Sequence, residues 1–148
     1  MTDRPDPKSL AEQCARTMWA SDRASHSLDM RLEDIDEGRA VMSMAVKDYM
    51  LNGYAMCHGG YIFALADDAF AYATNSQDQA AVAASCSIDF LLPAYEGEVL
   101  TATAQVLHQS ARSGLYDVTV TNGKDEVIAR FRGRSSRINQ PILSRGDE

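Results

Sequence analysis

The chain has 148 residues, of which 45% are hydrophobic, and a formal net charge of −7 at pH 7. This length suits one domain with a real core and is too short for two. The negative charge argues against general nucleic-acid binding, and no apolar run is long enough to span a bilayer. Because the N-terminus carries Asp3 and Asp6 and has no hydrophobic signal region, we expect a cytoplasmic protein.

The cysteines and histidines argue against a metal site. The three cysteines are odd in number and lack metal-type spacing, so we expect them to stay reduced. The three histidines are widely separated, which makes a catalytic zinc site a poor fit. One cysteine, Cys57, precedes a predicted helix start, a position that can lower the pKa of a thiol. These residues are Cys14, Cys57, Cys86, His26, His58 and His108.

The first third of the chain predicts a helix and two strands. Residues 1–8 are polar and proline-bearing and are predicted to form a flexible tail. The run Ser9–Glu12 fits a capping box, which predicts a helix over residues 9–20. Alternating apolar residues over 28–32 predict a first strand, and those over 40–46 predict the inner face of a second.

The glycine pair Gly59 and Gly60 opens an alanine-rich segment, which we predict to be one long helix reaching about Ser76. Two carboxylates lie just beyond opposite edges of its apolar face. A carboxylate beside aromatic rings has a raised pKa and suits a base or a nucleophile, and this applies to Asp67. Both could instead mark where the buried face meets water, which is the interpretation we favour for Asp68. The apolar face comprises Ile62, Leu65, Ala66, Ala69, Phe70 and Ala73.

Four further strands are predicted after a polar connection over residues 75–79. They cover about 82–90, 98–109, 114–121 and 127–137, with turn signals between them. One helix followed by four meandering strands is typical of an α+β domain with an antiparallel sheet. In the first of these strands, Val82, Ala84, Cys86, Ile88 and Phe90 share one face, while Ser85, Ser87 and Asp89 share the other.

The start of the central helix is a candidate anion site. The first N–H groups of a helix are unpaired and carry positive potential, and glycines let a ligand approach them closely. Such a terminus can hold a phosphate or a developing oxyanion. However, Gly59 and Asp67 are eight residues apart, which separates them by roughly 12 Å along the axis. If both act on one bond, they must come from two copies of the helix, which predicts a dimer.

A longer pattern around these residues resembles the phenylacetate-degradation (PaaI-type) branch of the hotdog-fold thioesterases. The likeness covers about residues 36–138, while the first thirty or so residues match poorly. It implies a long central helix wrapped by a curled antiparallel sheet, with two subunits placing their helices side by side. In this family such dimers commonly pair again into tetramers. The matching residues are Leu51-Asn52-Gly53, Cys57-His58-Gly59-Gly60, Leu65-Ala66-Asp67, Ala69-Phe70-Ala71-Tyr72-Ala73, Asn75-Ser76, Ser87-Ile88-Asp89-Phe90-Leu91 with Pro93, Leu100 to Val106 and Phe131-Arg132-Gly133.

The resemblance also implies a reaction and roles for residues. Acyl-coenzyme A thioesters would be hydrolysed, with an aryl-acetyl group such as phenylacetyl or hydroxyphenylacetyl favoured and no separate cofactor. The Gly59 N–H would form the oxyanion hole, and Asp67 of the second subunit would be the base or nucleophile. Asn52 and His58 would orient the substrate, and Ser87 would be a polar helper near the attacking water. In this family the position after the acid often holds a small hydroxyl residue, and Asp68 departs from that.

A row of arginines on the last strand is a candidate site for the phosphates of coenzyme A. Arg130, Arg132 and Arg134 alternate onto one face of that strand, and Arg112 lies in the preceding loop. In an acidic protein a basic row of this kind favours a phosphate-bearing partner. A solvated strand edge guarded by charge explains any single arginine nearly as well.

Two other functions use the same fold. A hotdog hydratase or dehydratase would act on similar thioesters, but it would need a histidine positioned for proton transfer. A non-catalytic acyl-coenzyme A sensor would need an appendage that binds DNA or a partner, and nothing outside the single predicted domain resembles one. Thioester hydrolysis therefore ranks first.

Overall fold

The computed structural model describes residues 5–143 and shows a six-stranded antiparallel sheet around one long helix. This is the predicted α+β hotdog architecture, which is confirmed. No helix among the described residues is long and apolar enough to cross a membrane. The elements are α1 (Pro7–Trp19), α2 (Arg23–Ser27), β1 (Arg31–Asp36), β2 (Arg39–Ala45), a 3₁₀ turn (Asp48–Met50), α3 (Gly59–Thr74), β3 (Ala81–Phe90), β4 (Val99–Gln109), β5 (Ser113–Thr121) and β6 (Val127–Arg137).

The strand order in the sheet is β1-β2-β4-β5-β6-β3. Strands β4, β5 and β6 form the predicted meander, but β3 lies beyond β6 and β4 pairs with β2. The prediction of four meandering strands is therefore wrong for β3. Hydrophobic alternation indicates which face of a strand is buried, and it carries no information on which strand lies beside it.

The central helix α3 packs against the inner face of the sheet. All six residues of its predicted apolar face are buried, and so is Tyr72. The Phe70 ring packs edge-on against Tyr116, with ring centroids 5.5 Å apart, and it also contacts Phe131. On β6, a Cβ added at Gly133 would lie only 2.8 Å from the Phe70 ring. The missing side chain at Gly133 therefore lets the sheet wrap closely around the helix.

The N-terminal helix begins two residues earlier than expected. The Asp6 side chain accepts a hydrogen bond from the Ser9 N–H (3.2 Å), and Pro7 occupies the first turn. The cap is therefore Asp6, and the Ser9–Glu12 capping box is not used. Of the predicted tail, residues 1–4 lie outside the described residues.

A second short helix, α2, comes just before the predicted first strand, and the observed strand starts later than expected. Asp22 caps it by accepting a bond from the Ser25 N–H, and Leu28 closes its C-terminal end. Strand β1 then begins only at Arg31. Five polar and small residues carry too weak a periodic signal to predict a helix, so the alternation over 28–32 was misleading.

We expect Gly133→Ala to destabilise the protein, because the added methyl group would collide with the Phe70 ring. Overpacking of this kind costs about 1–3 kcal/mol in the free energy of unfolding. Gly123→Ala is a matched control, since nothing lies within 4 Å of a Cβ added there. Urea unfolding of the two variants measures the difference, and equal midpoints would show that the sheet relaxes around Phe70 freely.

Candidate active site

The loop that leads into α3 is closed by Asn52. Its side-chain oxygen accepts hydrogen bonds from the N–H groups of Tyr54 (2.8 Å) and Met56 (3.1 Å). Its own backbone N–H donates to the Met56 carbonyl at 2.7 Å. The oxygen is thus committed to shaping the loop, which leaves the side-chain NH₂ group of Asn52 as the part able to donate to a ligand.

The helix start is uncapped. Helix α3 begins at Gly59, and the side chain of the preceding residue, His58, makes no capping hydrogen bond. The Gly59 N–H has no hydrogen-bond acceptor within the described part of the chain. The His58 backbone donates to the Met50 carbonyl at 2.8 Å, while the residue itself is exposed. A free donor at the positive end of a helix is the arrangement that an oxyanion hole requires.

A cavity of about 490 Å³ opens at this helix start. Asn52 and Gly59 both contribute to its wall, so the structure brings these two predicted residues together. A Cβ added at Gly59 would lie 2.7 Å from the Phe90 ring, so any side chain here would require that half-exposed ring to move. The lining residues are Asn52, Met56, Cys57, Gly59, Ile62, Phe90, Leu91, Leu92 and Pro93, and His58 is not among them.

The thiol of Cys57 is unreactive in this position. Burial raises the pKa of Cys57 to about 11, although the residue lies just before a helix start. A helix start can lower the pKa of a thiol, but here desolvation of the thiolate has the larger effect.

Asp67 lies midway along α3, away from this cavity. It is half-buried and has no hydrogen-bond partner among residues 5–143, and burial raises its pKa. On the inner face of β3, the pKa of Cys86 is raised by burial and then by the Asp67 charge, which shows that the two groups are close. The rigid helix keeps Asp67 roughly 12 Å from Gly59. One protomer therefore holds two separated halves of the predicted site.

Ser87 lies on the opposite face of β3 from α3. Its cross-strand partner is Arg132, and it lines an outer groove of about 300 Å³ with Asp89, Asp117 and Arg130. Within the protomer the structure does not bring Ser87 to Asp67. Successive strand residues point to opposite faces, so the inner position goes to the preceding residue, Cys86.

Asp68 lies at the partly buried edge of the apolar face, as expected, and it also belongs to a hydrogen-bond network that the sequence did not predict. Its carboxyl group contacts the Ser25 hydroxyl, which also contacts Asp22, and the Tyr72 hydroxyl donates to Asp22. Burial raises the pKa of Asp68 to about 7, opposed by the Ser25 hydrogen bond and reinforced by Asp22 and Asp67. The only hint in the sequence was the family departure at this position.

The four predicted arginines lie in two places. Arg130, Arg132 and Arg134 are exposed on the outer face of β6. Arg132 forms a bidentate ion pair with Asp117 at 2.7 and 3.0 Å, so its guanidinium is already partnered. The row therefore does not form one free basic surface.

Arg112 lines a different cavity, of about 710 Å³, beyond the C-terminal end of α3. Arg137 shares this cavity, and the sequence did not single it out as a binding residue. The terminal nitrogens of Arg137 donate to the Ala111 carbonyl (3.2 Å) and to Gln77 (2.8 Å). Its Nε is buried and has no partner among the described residues.

No group of three or more histidine, cysteine or acidic side chains within residues 5–143 is arranged to hold a metal ion. The described part of the site offers main-chain N–H groups, carboxylates and the Asn52 amide.

Comparison with known proteins places this site in a family. The family description Thioesterase superfamily matches residues 54–129, which span the helix start, Asp67 and most of the sheet. The chain belongs to the thioesterase superfamily. The predicted membership of the hotdog thioesterases, and the prediction of an enzyme, are confirmed.

Two relatives of this thioesterase, one of them compared by both sequence and structure, indicate how far the likeness extends. The Escherichia coli (strain K12) protein named acyl-coenzyme A thioesterase PaaI is 49% identical over 132 residues, 89% of this chain and 94% of that protein. A solved structure of the E. coli PaaI protein has a TM-score of 0.91 and 47% identity, covering 92% of this chain and 99% of that one. A Streptococcus mutans structure bound to acetyl CoA has a TM-score of 0.73 and 27% identity, covering 75% of this chain and 90% of that one.

We expect Asp67→Asn to make this thioesterase more stable at neutral pH. The folded state raises the pKa of Asp67 by burial, so it binds more protons than the unfolded state, and stability is lost as the pH rises through the folded pKa. The amide does not titrate, so the variant escapes this loss. Urea unfolding from pH 4 to pH 8 measures it; a stability gain that does not grow with pH would contradict the burial of an ionisable group.

Proposed function

We propose that the protein hydrolyses acyl-coenzyme A thioesters, with aryl-acetyl groups such as phenylacetyl or hydroxyphenylacetyl as the favoured acyl part. Water adds across the C–S bond, giving a carboxylic acid and the free thiol of coenzyme A. The observation that carries the proposal is the free Gly59 N–H at the wall of an apolar cavity. The E. coli relative named acyl-coenzyme A thioesterase supports the substrate class. Coenzyme A is part of the substrate, so no cofactor is needed.

In this proposal the thioester oxygen accepts a hydrogen bond from the Gly59 N–H, where the helix dipole stabilises the negative charge that develops on it. The NH₂ group of Asn52, on the same cavity wall, orients the acyl group, and the exposed His58 lies at the entrance. Asp67 from a second subunit either attacks the carbonyl carbon directly, or takes a proton from a water molecule that attacks it. A single turnover in labelled water separates the two routes, because only direct attack puts the label into Asp67 first.

The second subunit is supported by the free edge of β3. Among the described residues this ten-residue strand pairs with β6 on one side only, and its residues from 82 to 85 are exposed, with Val82 at 50%. Its pairing with β6 shifts register between Ala83 and Ser85, but the strand carries one charged residue, Asp89, and no proline or lysine, so few side chains oppose pairing at its free edge. Pairing of two β3 strands would extend the sheet and bring two α3 helices side by side. We propose this homodimer, and a further pairing of dimers into a tetramer.

For the phosphates of coenzyme A we propose the cavity of Arg112 and Arg137. Two guanidinium groups line it, and the buried Nε–H of Arg137 has no acceptor among the described residues. Along α3 the order is Gly59, then Asp67, then this cavity beyond the C-terminal end of the helix. A thioester bound between this Asp67 and the Gly59 of the second subunit could therefore extend its coenzyme A part toward the C-terminal end of α3. The outer row from Arg130 to Arg134 is the alternative location.

The reduced state of the three cysteines supports a cytoplasmic location. Cys14, Cys57 and Cys86 are all free, which suits a reducing environment. We propose a cytoplasmic enzyme. A hydratase receives less support, because His58, the histidine nearest the cavity, is not part of its wall.

We expect two inactive variants to restore activity when combined. Asp67→Asn should lower kcat about a thousandfold or more by removing the base or nucleophile, and Gly59→Val should do so by forcing a side chain against Phe90. In mixed dimers, one site regains both intact residues, so co-expression should give about a quarter of wild-type activity. Thiol release from phenylacetyl-coenzyme A measures it.

Asp125→Asn is the control for this experiment, because Asp125 is exposed in a turn at φ 59° that asparagine also adopts. Mixed dimers that stay inactive would show that Gly59 and Asp67 do not act across subunits. Near-normal turnover by the single Asp67→Asn variant would remove that residue from the mechanism.

We expect Arg112→Ala to raise KM for acyl-coenzyme A about tenfold with kcat largely unchanged, because a charge-assisted hydrogen bond to phosphate is lost. The same variant should hydrolyse the acyl-pantetheine analogue, which lacks the nucleotide phosphates, like the wild type. Arg134→Ala is the matched control from the outer row. A raised KM for Arg134→Ala with a normal one for Arg112→Ala would move the phosphates to β6.

A further inference from the structure

The carboxyl group of Asp68 is joined to α2 by a chain of hydrogen bonds. Ser25 Oγ lies 2.5 Å from Asp68 Oδ2 and 2.6 Å from Asp22 Oδ2. Asp22 also accepts bonds from the Ser25 N–H at 3.2 Å and from the Tyr72 hydroxyl at 2.9 Å. Tyr72 lies one turn beyond Asp68 on α3, so two residues of one helix face meet the same short helix.

Counting protons along this chain assigns its charge. A serine hydroxyl has one proton, so Ser25 can donate to only one of the two carboxyl oxygens that it contacts. The other contact is a hydrogen bond only if that carboxyl group carries a proton and donates it. Asp22 is surrounded by donors, the Ser25 N–H and the Tyr72 hydroxyl, as a carboxylate requires. The acid is therefore Asp68, which donates to Ser25, and Ser25 donates to Asp22.

The surrounding charges agree with this assignment. Within residues 5–143 no lysine or arginine forms an ion pair with either carboxyl group. The groups that act on Asp68 are Ser25 and Asp22 from the α2 side and Asp67 on its own helix. Against the effect of burial, hydrogen bonds from Ser25, Tyr72 and Asp68 hold the pKa of Asp22 below its usual value. One negative charge is thus shared by a pair of acids.

We propose that Asp68 is a positioning residue that works as a carboxylic acid, its proton completing a clamp that fixes the rotation of α3 and thereby the direction of the neighbouring Asp67. The inference rests on the proposed role of Asp67 in hydrolysis. Adjacent helix residues are about 100° apart and turn as one rigid body, so a clamp at positions 68 and 72 also holds position 67. A neutral Asp68 in addition spares Asp67 a charged neighbour.

Loss of the Asp68 proton opens the clamp. The Ser25 hydroxyl then lies between two carboxylates with one proton to offer, so one of its two contacts becomes repulsive. The described groups that face Asp68 provide no compensating cation. We therefore expect the orientation of Asp67, and with it kcat, to depend on the protonation of its neighbour.

The proton is tested directly and without substrate. Isotope-edited infrared spectra of aspartate-labelled protein at pH 6 should contain a buried carboxylic-acid C=O band that disappears in Asp68→Asn. The asparagine amide can still donate to Ser25 but cannot titrate. Burial raises the pKa of folded Asp68 to about 7, so stability is lost as the pH rises from the unfolded pKa to the folded one. The melting temperature of the wild type should therefore fall relative to Asp68→Asn between about pH 4 and pH 7.

The positioning role is tested by the pH profile of kcat. Above the pKa of Asp68, kcat of the wild type should fall about tenfold per pH unit, while kcat of Asp68→Asn should stay constant at alkaline pH. Asp68→Ala should lower kcat at all pH values, and asparagine should restore it. An absent acid band, or an alkaline limb shared by the wild type and Asp68→Asn, overturns the inference. A wild type that releases no thiol from any acyl-coenzyme A would instead refute the proposed function. In that case the infrared C=O band and the pH dependence of the melting temperature still show whether Asp68 is protonated.

Discussion

The rigidity of α3 is the constraint on which the rest of the molecule depends. The helix rises by a fixed amount per residue, so its free N–H at Gly59 and its unpaired carboxylate at Asp67 cannot meet. The sheet lies close against the helix at Phe70, which fills the space left by Gly133. Each protomer therefore carries the two halves of the proposed site at two levels of one helix. In the proposed dimer, catalysis therefore requires assembly.

The two neighbouring acids on this helix are accommodated in opposite ways. Asp67 keeps an open, unpaired carboxyl group, and burial raises its pKa at a cost in stability. Asp68 is more deeply enclosed but is satisfied by a hydrogen-bond chain to α2. Two ionised carboxylates side by side without a cation would repel each other strongly in this environment. Holding one as an acid is the arrangement that leaves the other free to ionise.

Local features of the fold could be predicted from the sequence. The glycine pair and the 3.6-residue period defined α3 and its buried face, and the two-residue period defined most strands. The resemblance to the hotdog thioesterases supplied the architecture. The place of β3 at the sheet edge could not be predicted, because strand pairing depends on contacts far apart in the chain. Helix α2 was missed since its five residues are too few for a periodic signal.

The site was predictable only in part, for the same reason. Gly59 and Asn52 share a cavity because both belong to one local segment, whereas the Asp68–Ser25 contact joins residues 43 positions apart. Arg137 is brought to Arg112 by the register of two strands. Strand alternation correctly set Ser87 and Cys86 on opposite faces of β3, while the role implied for Ser87 by family resemblance stays a prediction.

The cavity wall has one more consequence for an enzyme that handles thioesters and releases a thiol. A cysteine thiolate beside the substrate would attack the thioester carbonyl, release the coenzyme A thiolate and leave the acyl group on the enzyme. Cys57 occupies that wall, and its pKa of about 11 keeps it as the unreactive thiol at neutral pH. Desolvation by its neighbours thus protects the enzyme from being acylated by its own substrate.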